Sequence, residues 1–511
     1  MIKTRLLAVV VTTIALVAGG IAVPLAADAA ASSPVDRPKG DPTKNPPLPV
    51  ERAKLRTGSP LGSEGVGVTT GVPISAPLPP TVFKPVSGKG TFDPATSTLV
   101  SRSEYGDTYK NADGTMTTQL SLAPKNVQTS SGWVPISTTV RQQPDGHYGV
   151  ADHPLSPRFS STATDSRGVF SVARGKQTIS FSLLHATTSK AGQPSTKDAK
   201  VAGASSDDSV GYSNVLPGAD LTYKVEPGTV KEAIVLQKPP SSAHPNYTWV
   251  IHSPGFAAVK DQDGDIDLID AAGVTQFQIP TPVMTDSSAV DGKRGAAMAD
   301  IDTTVAPGAK LGDWNLTLTP DPSWLNDPDR VYPVALDPSV NEGESNDNAY
   351  ENTGTHLTGV TYIGNSRAGG NTIWRTVETY GYDAIFGQEL TGVQDVEQYD
   401  AAGAGSSGTT NATSASFWWA DCFGYNCAGT HLSDTTIGSG SGGYGVQSDQ
   451  GLFTFMSGLV DDQTDGAYFL LGGDESSNYT YKHVLSTLQL SYAPMASVSS
   501  VAQSIGPGYE V

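Results

Sequence analysis

A run of aspartates near the middle of the chain is the densest group of side chains that could bind a metal ion. These carboxylates alternate with other residues around Gly264: Asp261, Asp263, Asp265 and Asp267. Alternating acids around a glycine are typical of calcium loops, although the twelfth position, Ala272, is not the glutamate of an EF-hand. The alternative is a β-hairpin that turns at Asp263-Gly264 and directs Asp265 and Asp267 to solvent. Calcium is therefore the one cofactor that the sequence proposes.

A second polar run, residues 341–348 (NEGESNDN), lies between two strand-rich regions. Its carboxylate and amide oxygens could bind calcium at a domain junction. A solvated linker would have the same composition, and the sequence favours this interpretation.

Aromatic residues concentrate in the second region, and four of them are candidates for stacking on sugar rings: Trp374, Trp418, Trp419 and Tyr425. The alternative is packing in an apolar core. Neighbouring side chains of a strand point to opposite faces, so one ring of the pair Trp418-Trp419 must point away from the core. A glycan-binding surface is the hypothesis that follows.

The chain contains two cysteines, Cys422 and Cys427. In an exported protein this spacing predicts a disulfide that closes one hairpin. A loop so short gains about 2 kcal/mol in the entropic account. Free thiols and a metal site that includes His431 are the alternatives, but two cysteines and one histidine do not complete a zinc site.

No nucleophile elbow, zinc-protease helix, P-loop or dinucleotide fingerprint occurs in the sequence. With 51 acidic residues, pairs of carboxylates arise by chance and cannot be assigned to glycoside hydrolysis. The residues therefore nominate no catalytic group. The formal net charge of −19 argues against a nucleic-acid partner, which needs a basic face.

Short stretches in which apolar and polar residues alternate must position these side chains. Turn residues separate the stretches from one another. The clearest are 178–183, 220–225 and 314–318, in which every second residue is apolar, whereas 233–236 is continuously apolar. Strands at this spacing predict an all-β protein with two successive β-sandwich regions, at 91–340 and 341–493. No amphipathic helix longer than ten residues is expected, and residues 494–511 resemble a flexible tail.

The N-terminus has the pattern of a secretory signal peptide. Lys3 and Arg5 precede an apolar run, and Ala27-Asp28-Ala29 matches the site that signal peptidase reads. Cleavage after Ala29 would leave a secreted protein without a membrane span; a retained anchor is the alternative. Prolines recur through residues 30–90, which predicts an extended spacer that separates the β regions from the membrane.

Several motifs in the first region resemble the N-terminal region of large secreted actinobacterial proteins, which often continue into RHS/YD repeats and sometimes end in a toxin domain. The motifs are 100–102 (VSR), 109–115 (YKNADGT), 133–136 (WVPI), 212–215 (YSNV), 217–223 (PGADLTY), 230–232 (VKE) and 332–338 (YPVALDP).

The second region resembles the DNRLRE-type β module that commonly follows in such proteins. The matching positions are 362–364 (YIG), 369–370 (GG), Trp374-Arg375, 385–387 (IFG), 474–476 (DES) and Tyr481-Lys482. The resemblance implies a jelly-roll-like fold and a non-enzymatic, architectural or adhesive role. Two departures stand out: residues 394–398 are polar, which predicts an edge or diverged strand, and the RHS/YD repeats are absent from these 511 residues.

Three functions follow as hypotheses. The first is a secreted, non-enzymatic structural or binding protein of the cell surface, with a glycan or peptidoglycan as its partner. The second is an extracellular hydrolase or lyase, for which a pocket must bring carboxylates, or a histidine and an acid, together. The third is the carrier region of an RHS-type toxin system.

Overall fold

The computed structural model describes residues 92–494, apart from 206, 262–263, 289–295, 344, 367–371, 401–407, 441 and 465. The expected signal peptide, the proline-rich spacer and the tail after residue 494 lie outside the described residues. Within the described ranges, no helix is long and apolar enough to cross a membrane.

Antiparallel strands make up most of the described chain. The strands of its first half are β1 (Thr98–Ser103), β2 (Gly106–Lys110), β3 (Met116–Ser121), β4 (Asn126–Thr129), β5 (Gly132–Pro135), β6 (Arg141–Gln142), β7 (Tyr148–Gly149), β8 (Arg158–Phe159), β9 (Phe170–Arg174), β10 (Gln177–Leu183), β11 (Ala191–Gly192), β12 (Ser209–Leu216), β13 (Ala219–Glu226), β14 (Thr229–Leu236), β15 (Tyr247–His252), β16 (Ala257–Lys260), β17 (Ile266–Ile269) and β18 (Thr275–Ile279).

The remaining strands and the helices follow the same chain order. The strands are β19 (Val283–Asp286), β20 (Met298–Asp300), β21 (Asp302–Pro307), β22 (Asp313–Thr319), β23 (Val334–Asp337), β24 (Val340–Asn341), β25 (Asp347–Glu351), β26 (His356–Thr358), β27 (Tyr362–Asn365), β28 (Ile373–Tyr380), β29 (Glu389–Tyr399), β30 (Thr413–Ala420), β31 (Ala428–Ile437), β32 (Tyr444–Gln447), β33 (Ala467–Gly473) and β34 (Lys482–Ala493). The helices are α1 (Thr196–Val201), α2 (Pro322–Leu325), α3 (Gln450–Asp461) and a 3-10 turn at Asp383–Ile385.

Two antiparallel sheets enclose the first apolar core. One has the strand order β21-β22-β15-β10-β9-β8-β7-β6, and the other has the order β11-β12-β13-β14-β24-β18-β17-β16. Their apolar residues pack against one another; Phe170, for example, lies 5.3 Å from Phe181 in its own sheet and 5.0 Å from Tyr223 in the other, between ring centroids. The alternation of apolar residues in 178–183 and 220–225 therefore forms the buried face of a sandwich, as predicted.

A third sheet surrounds the second apolar core. Its order is β1-β2-β3-β34-β27-β28-β33-β30-β31, and β29 and β25 extend it through pairing with β34 and β28. Strand β27 pairs with β28 on one side and with β34 on the other, which connects the two faces of the core. Phe417 and Phe469 stack at 4.5 Å within it. The prediction of an all-β, sandwich-like fold is confirmed.

The first three strands belong to the second core, although they precede the first core in the chain. Strand β3 pairs with β34 from Met116 opposite Tyr492 to Ser121 opposite Thr487. Leu120 and Leu122 are buried among residues of the second core. The boundary predicted near residue 340 therefore does not separate the sheets, because the start of the first region completes the sheet of the second.

Helix α3 corrects the expectation that no amphipathic helix exceeds ten residues. It has 12 residues, and its buried side chains are Leu452, Phe455, Met456, Leu459 and Val460. These positions recur every three or four residues, which places them on one face of a helix. The pattern was present in the sequence but lay among glycine-rich loops, and its apolar face packs on the second core.

Candidate functional site

The tryptophans predicted to bind glycans are buried. Trp374, Trp418 and Trp419 are each at most 1% exposed. Trp418 and Trp419 do point to opposite faces of β30, since Trp419 lies in the second core and Trp418 in a smaller cluster on the other side. Both faces are covered because Tyr350, Phe423, Tyr425 and Tyr468 pack over the outer side of the sheet. The hypothesis of an exposed aromatic platform formed by these tryptophans is wrong.

Tyr425, the fourth predicted residue, is half-buried and covers a buried arginine. The guanidinium carbon of Arg375 lies 4.0 Å from the centre of the Tyr425 ring. Nε and Nη2 of Arg375 donate to the two carboxylate oxygens of Glu475 at 2.5 and 2.8 Å, and Nη1 donates to the Tyr425 carbonyl at 2.9 Å. Arg375 and Glu475 are 100 positions apart in the chain, and this ion pair joins β28 to the segment that follows β33.

The predicted disulfide is present. Cys422 and Cys427 are bonded, with their Cα atoms 5.1 Å apart. Together with Asp421 they form the one group of three potential metal ligands found among the described residues. A disulfide sulfur does not act as a thiolate ligand, so this group is not a metal site. The bridge instead closes the hairpin that lies over Trp418.

The aspartate run forms the predicted hairpin, since β16 and β17 pair from Ala257–Lys260 to Ile266–Ile269. Asp265 and Asp267 do not face solvent, which corrects the expectation: they are 0% and 5% exposed. Asp265 accepts hydrogen bonds from Thr281 at 2.7 Å and from Thr358 at 3.2 Å. The second region covers this face of the hairpin through Thr358.

The described aspartates of the run use their oxygens within the chain. Oδ1 of Asp261 accepts a hydrogen bond from the Asp265 amide at 2.9 Å, and Oδ1 of Asp267 accepts one from Gln278 at 3.1 Å. A calcium ion at these residues would have to replace such bonds. Asp263, the fourth predicted ligand, lies outside the described residues.

Strand β29, which includes the polar residues 394–398, is not an edge strand. It pairs with β34 over its length and with β32 at Asp395–Gln398. Asp395 and Glu397 are 0% exposed, as is Glu378 on β28. Tyr380 donates to Glu378 and Asp395, both at 3.3 Å, and Gln447 donates to Glu397 at 3.0 Å. Alternation in this strand therefore places acids, rather than apolar residues, in the interior.

Burial raises the pKa of all three carboxyls. The pKa of Asp395 rises to about 7. The pKa values of Glu378 and Glu397 are raised well above the ordinary range, by burial and by the charge of Asp395. Protonated carboxyls can form hydrogen bonds with Tyr380 and Gln447, whereas ionised carboxylates would repel each other.

A cavity of about 540 Å³ lies where the two cores meet. We call it the junction cavity. The segments that line it come from the start of the described chain, from the β13–β14 turn, from the polar run after residue 340 and from β29 and β34: residues 105, 121–125, 136, 226–229, 231, 341–342, 345–347, 359–361, 396, 398, 400 and 483–487. The sequence does not indicate a cavity here, because the segments that form its walls are distant in the chain.

The polar run is not a solvated linker, which corrects the favoured interpretation. Asn341, Glu342 and Asn346 are 3, 4 and 7% exposed. Asn341 accepts a hydrogen bond from Thr229 at 2.9 Å, and Asn346 donates one to the carbonyl of Leu122 at 3.0 Å. The run is buried because it passes between the first core and the strands that precede it.

Most charged groups of the cavity wall form ion pairs. Lys224 and Lys231 lie 2.6 and 3.2 Å from the carboxylate of Glu226. Burial alone would raise the pKa of Glu226, but the two lysines lower it below its usual range. Nζ of Lys125 lies 2.7 Å from the carboxylate of Asp107. The positive charges of these lysines are therefore already balanced.

A histidine and acids also meet at this wall. Nδ1 of His483 lies 3.0 Å from Oδ2 of Asp400 but is not aligned for a hydrogen bond with it. Burial raises the pKa of Asp347 to about 6, although the charges of His483 and Lys231 oppose the shift. Asp347 lines the cavity and is half-buried.

Glu342 is the least satisfied group of the wall. Neither of its carboxylate oxygens has a hydrogen-bond donor among the described residues. The carboxyl of Glu104 faces it and can donate a hydrogen bond only when it is itself protonated. Burial and the charge of Glu104 raise the pKa of Glu342 well above its usual range, whereas Arg174 lowers it. Among the described carboxyls of the wall, Glu342 is therefore the one with two buried oxygens that lack a hydrogen-bond partner.

The fold and this site define a class: an all-β protein of sandwich-like cores with a charged cavity at their junction. No family model matches the chain. Three curated proteins of Bacillus are similar to it, each 25% identical over 249 residues: a tRNA(Glu)-specific nuclease WapA of Bacillus subtilis subsp. natto, a tRNA3(Ser)-specific nuclease WapA of Bacillus spizizenii and a tRNA nuclease WapA of Bacillus subtilis.

The similarity covers 48% of this chain and 10% of each relative, so the alignment spans about a tenth of the curated relatives. A solved structure of a Paenibacillus xanthan lyase aligns over 78% of this chain and 55% of its own, with 8% identity and a TM-score of 0.11. A likeness this low carries no argument about fold or function.

Proposed function

We propose that this protein is a secreted, non-enzymatic structural module that carries an effector outside the cytoplasmic membrane. The observation that carries the proposal is the partial match to the tRNA nucleases, which covers half of this chain but a tenth of each relative. A segment that small, shared among proteins that cleave different tRNAs, fits a common carrier region better than a nuclease active site.

The architecture supports a structural role. Strand β34 is hydrogen-bonded to β3 on one side and to β29 on the other, and Thr117 shares a 2.7 Å hydrogen bond with Ser491. Strands at the two ends of the described chain are thereby held together. A sheet that joins both ends of the described chain in this way would be a stable base for attached domains.

The resemblance to secreted RHS-associated proteins supports the same conclusion independently of the Bacillus relatives. Arg375 and Glu475, which stand in its DNRLRE-like motifs, form a buried ion pair rather than a ligand site. The net charge of −19 disfavours binding to tRNA. The carrier role therefore does not require this chain to touch the nucleic acid.

The test combines location with activity. In fractionated cells we expect the protein in the medium or the wall fraction, with Ala30, give or take two residues, as its first residue by mass spectrometry. The purified chain should neither bind nor cleave bulk tRNA in a gel assay in which an added ribonuclease is the positive control. Retention in the cytoplasm, or tRNA cleavage by the purified chain, would contradict the proposal.

A second candidate, hydrolysis or elimination on an extracellular polysaccharide, is supported by the junction cavity, in which His483 meets Asp400 and Asp347. Such convergence is a recognised sign of an active site. Purified chain incubated with a panel of soluble polysaccharides would release reducing ends, and His483→Gln would abolish the release if this candidate is right. Absence of turnover on every polymer favours the carrier role.

A further inference from the structure

We infer that the junction cavity is a binding site for a small organic cation that has an ammonium or guanidinium head and a short apolar body. The inference concerns the cavity alone and does not depend on the carrier role. It rests on the size of the cavity, on the carboxylate of Glu342 and on the lining around it.

The size of the cavity fits an organic molecule. Binding sites for small molecules are commonly about 300–1,000 Å³, and this cavity holds about 540 Å³. A bare metal ion would need several ligand atoms close together. Among the described residues, the group with three such ligands is the one at the disulfide and not in this cavity.

Glu342 supplies the attraction for positive charge. The residue is 4% exposed and lines the cavity, and neither carboxylate oxygen receives a hydrogen bond from the residues that the structure describes. Burial and the facing carboxyl of Glu104 favour the protonated form of Glu342 when no cation is bound. A cation that brings N–H donors would stabilise the ionised form, because it supplies both an opposite charge and hydrogen bonds to the carboxylate. Asp347 adds a second carboxylate to the same wall.

Most positive groups of the wall are engaged by other acids, although Arg174 acts on Glu342, and Lys231 and His483 also act on Asp347. Lys231 is paired with Glu226, Lys125 with Asp107, and His483 with Asp400. An anionic ligand would have to break such pairs and would meet the unpaired carboxyl of Glu342. The charge distribution therefore selects a cation.

Apolar residues provide a place for the body of the ligand. They line the wall beside the acids: Leu122, Pro124, Ile136, Val360, Val396 and Val484. Leu485, which is 54% exposed, stands at the rim and marks the side on which the cavity meets solvent. A ligand with an apolar stem of a few carbons and a charged head matches this arrangement.

Isothermal titration of the purified mature chain with 1,5-diaminopentane and with Nα-acetyl-lysine amide tests the inference and separates a free amine from a peptide side chain. We expect at least one probe to bind, and Nα-acetyl-norleucine amide, which lacks the amine, not to bind. Glu342→Gln should weaken binding at least tenfold. The charge-matched control Glu389→Gln, at an exposed position of β29, should leave binding unchanged.

Failure of both amines to bind the wild type, or equal binding by Glu342→Gln, overturns the inference. If Glu342→Gln does not fold, hydrogen exchange on the wild type locates the site instead. The bound probe should slow exchange in residues 341–347 and 359–361. Slowed exchange elsewhere, with none in these segments, would also overturn it.

Discussion

The carboxyls of Glu378, Asp395 and Glu397 lie in the interior of the second core, where acids are rare unless they are paired or protonated. Ser486 donates to Glu378 at 2.6 Å, and Tyr380 bridges Glu378 and Asp395. The sheet holds the acids in place through β28, β29 and β34. Their protonation state is therefore coupled to folding.

These carboxyls should make the stability of the protein depend on pH. Burial raises their pKa values above those of an unfolded carboxyl, which is about 4. The stability that the protonated carboxyls contribute is fully present below about pH 4. It is lost as the pH rises toward about 7, the pKa of Asp395. Glu397→Gln should therefore raise the free energy of unfolding at pH 8 by on the order of 1 kcal/mol or more and leave it little changed at pH 4.

Urea denaturation at pH 4, 6 and 8 checks this prediction. Glu389→Gln, at an exposed position of the same strand, is the matched control and should show no such pH-dependent gain. A Glu397→Gln variant that is destabilised equally at every pH would instead show that Glu397 acts through its hydrogen bond to Gln447.

Arg375, unlike these carboxyls, is a buried charged group that is paired with an opposite charge. Its side chain is 0% exposed and bonds to both oxygens of Glu475. Arg375→Ala should lower the free energy of unfolding by about 3 kcal/mol, because it leaves a partly buried carboxylate without its cation.

Thermal unfolding measures this effect. Arg167→Ala breaks a pair with Asp165 in which the arginine side chain is 68% exposed, and it should leave the melting temperature almost unchanged. Similar losses for the two variants would show that the Arg375 pair is no more than a surface ion pair.

At the scale of elements, α3 closes one side of the second core. Phe455 is 0% exposed, and its ring lies 5.7 Å from Phe469 and 6.3 Å from Trp419. Phe455→Ala should cost about 3–5 kcal/mol, because it leaves a cavity among these rings. Thr454→Ala, on the exposed face of the same helix, should change little. Chemical denaturation followed by tryptophan fluorescence compares the two, and equal stabilities would place the helix outside the cooperative core.

At the scale of the whole molecule, the β1–β3 strands connect the beginning of the described chain to its end. Deletion of residues 92–124 would expose the edge of β34 and remove Leu120 and Leu122 from the second core. We expect hydrogen exchange of the β34 amides to accelerate by orders of magnitude in this variant. Deletion of the proline-rich residues 30–90 is the control, and it should leave those amides protected.

Protected β34 amides after deletion of residues 92–124 would show that the second region folds without the first strands. The predicted boundary near residue 340 would then mark an independent domain. Unprotected amides would mean that the two regions fold as one unit, because a single sheet spans both.

The sequence by itself determined the local features of this protein. Alternating apolar residues in 178–183 and 220–225 predicted strands of an all-β fold, since side chains of a strand point to alternate faces. The spacing of Cys422 and Cys427 predicted their disulfide, because a bond across so short a loop needs no distant residue. The amphipathic pattern of α3 was also local and could have been recognised.

Only the tertiary structure decided which faces are covered. Trp418 and Trp419 point to opposite faces, as the sequence predicted, yet the disulfide hairpin and its neighbours bury the outer one. Asp265, Asp395 and Glu342 look like surface residues in the sequence and are buried because other parts of the chain fold over them. Burial depends on contacts between distant segments, and the junction cavity, whose walls run from residue 105 to residue 487, exists only through such contacts.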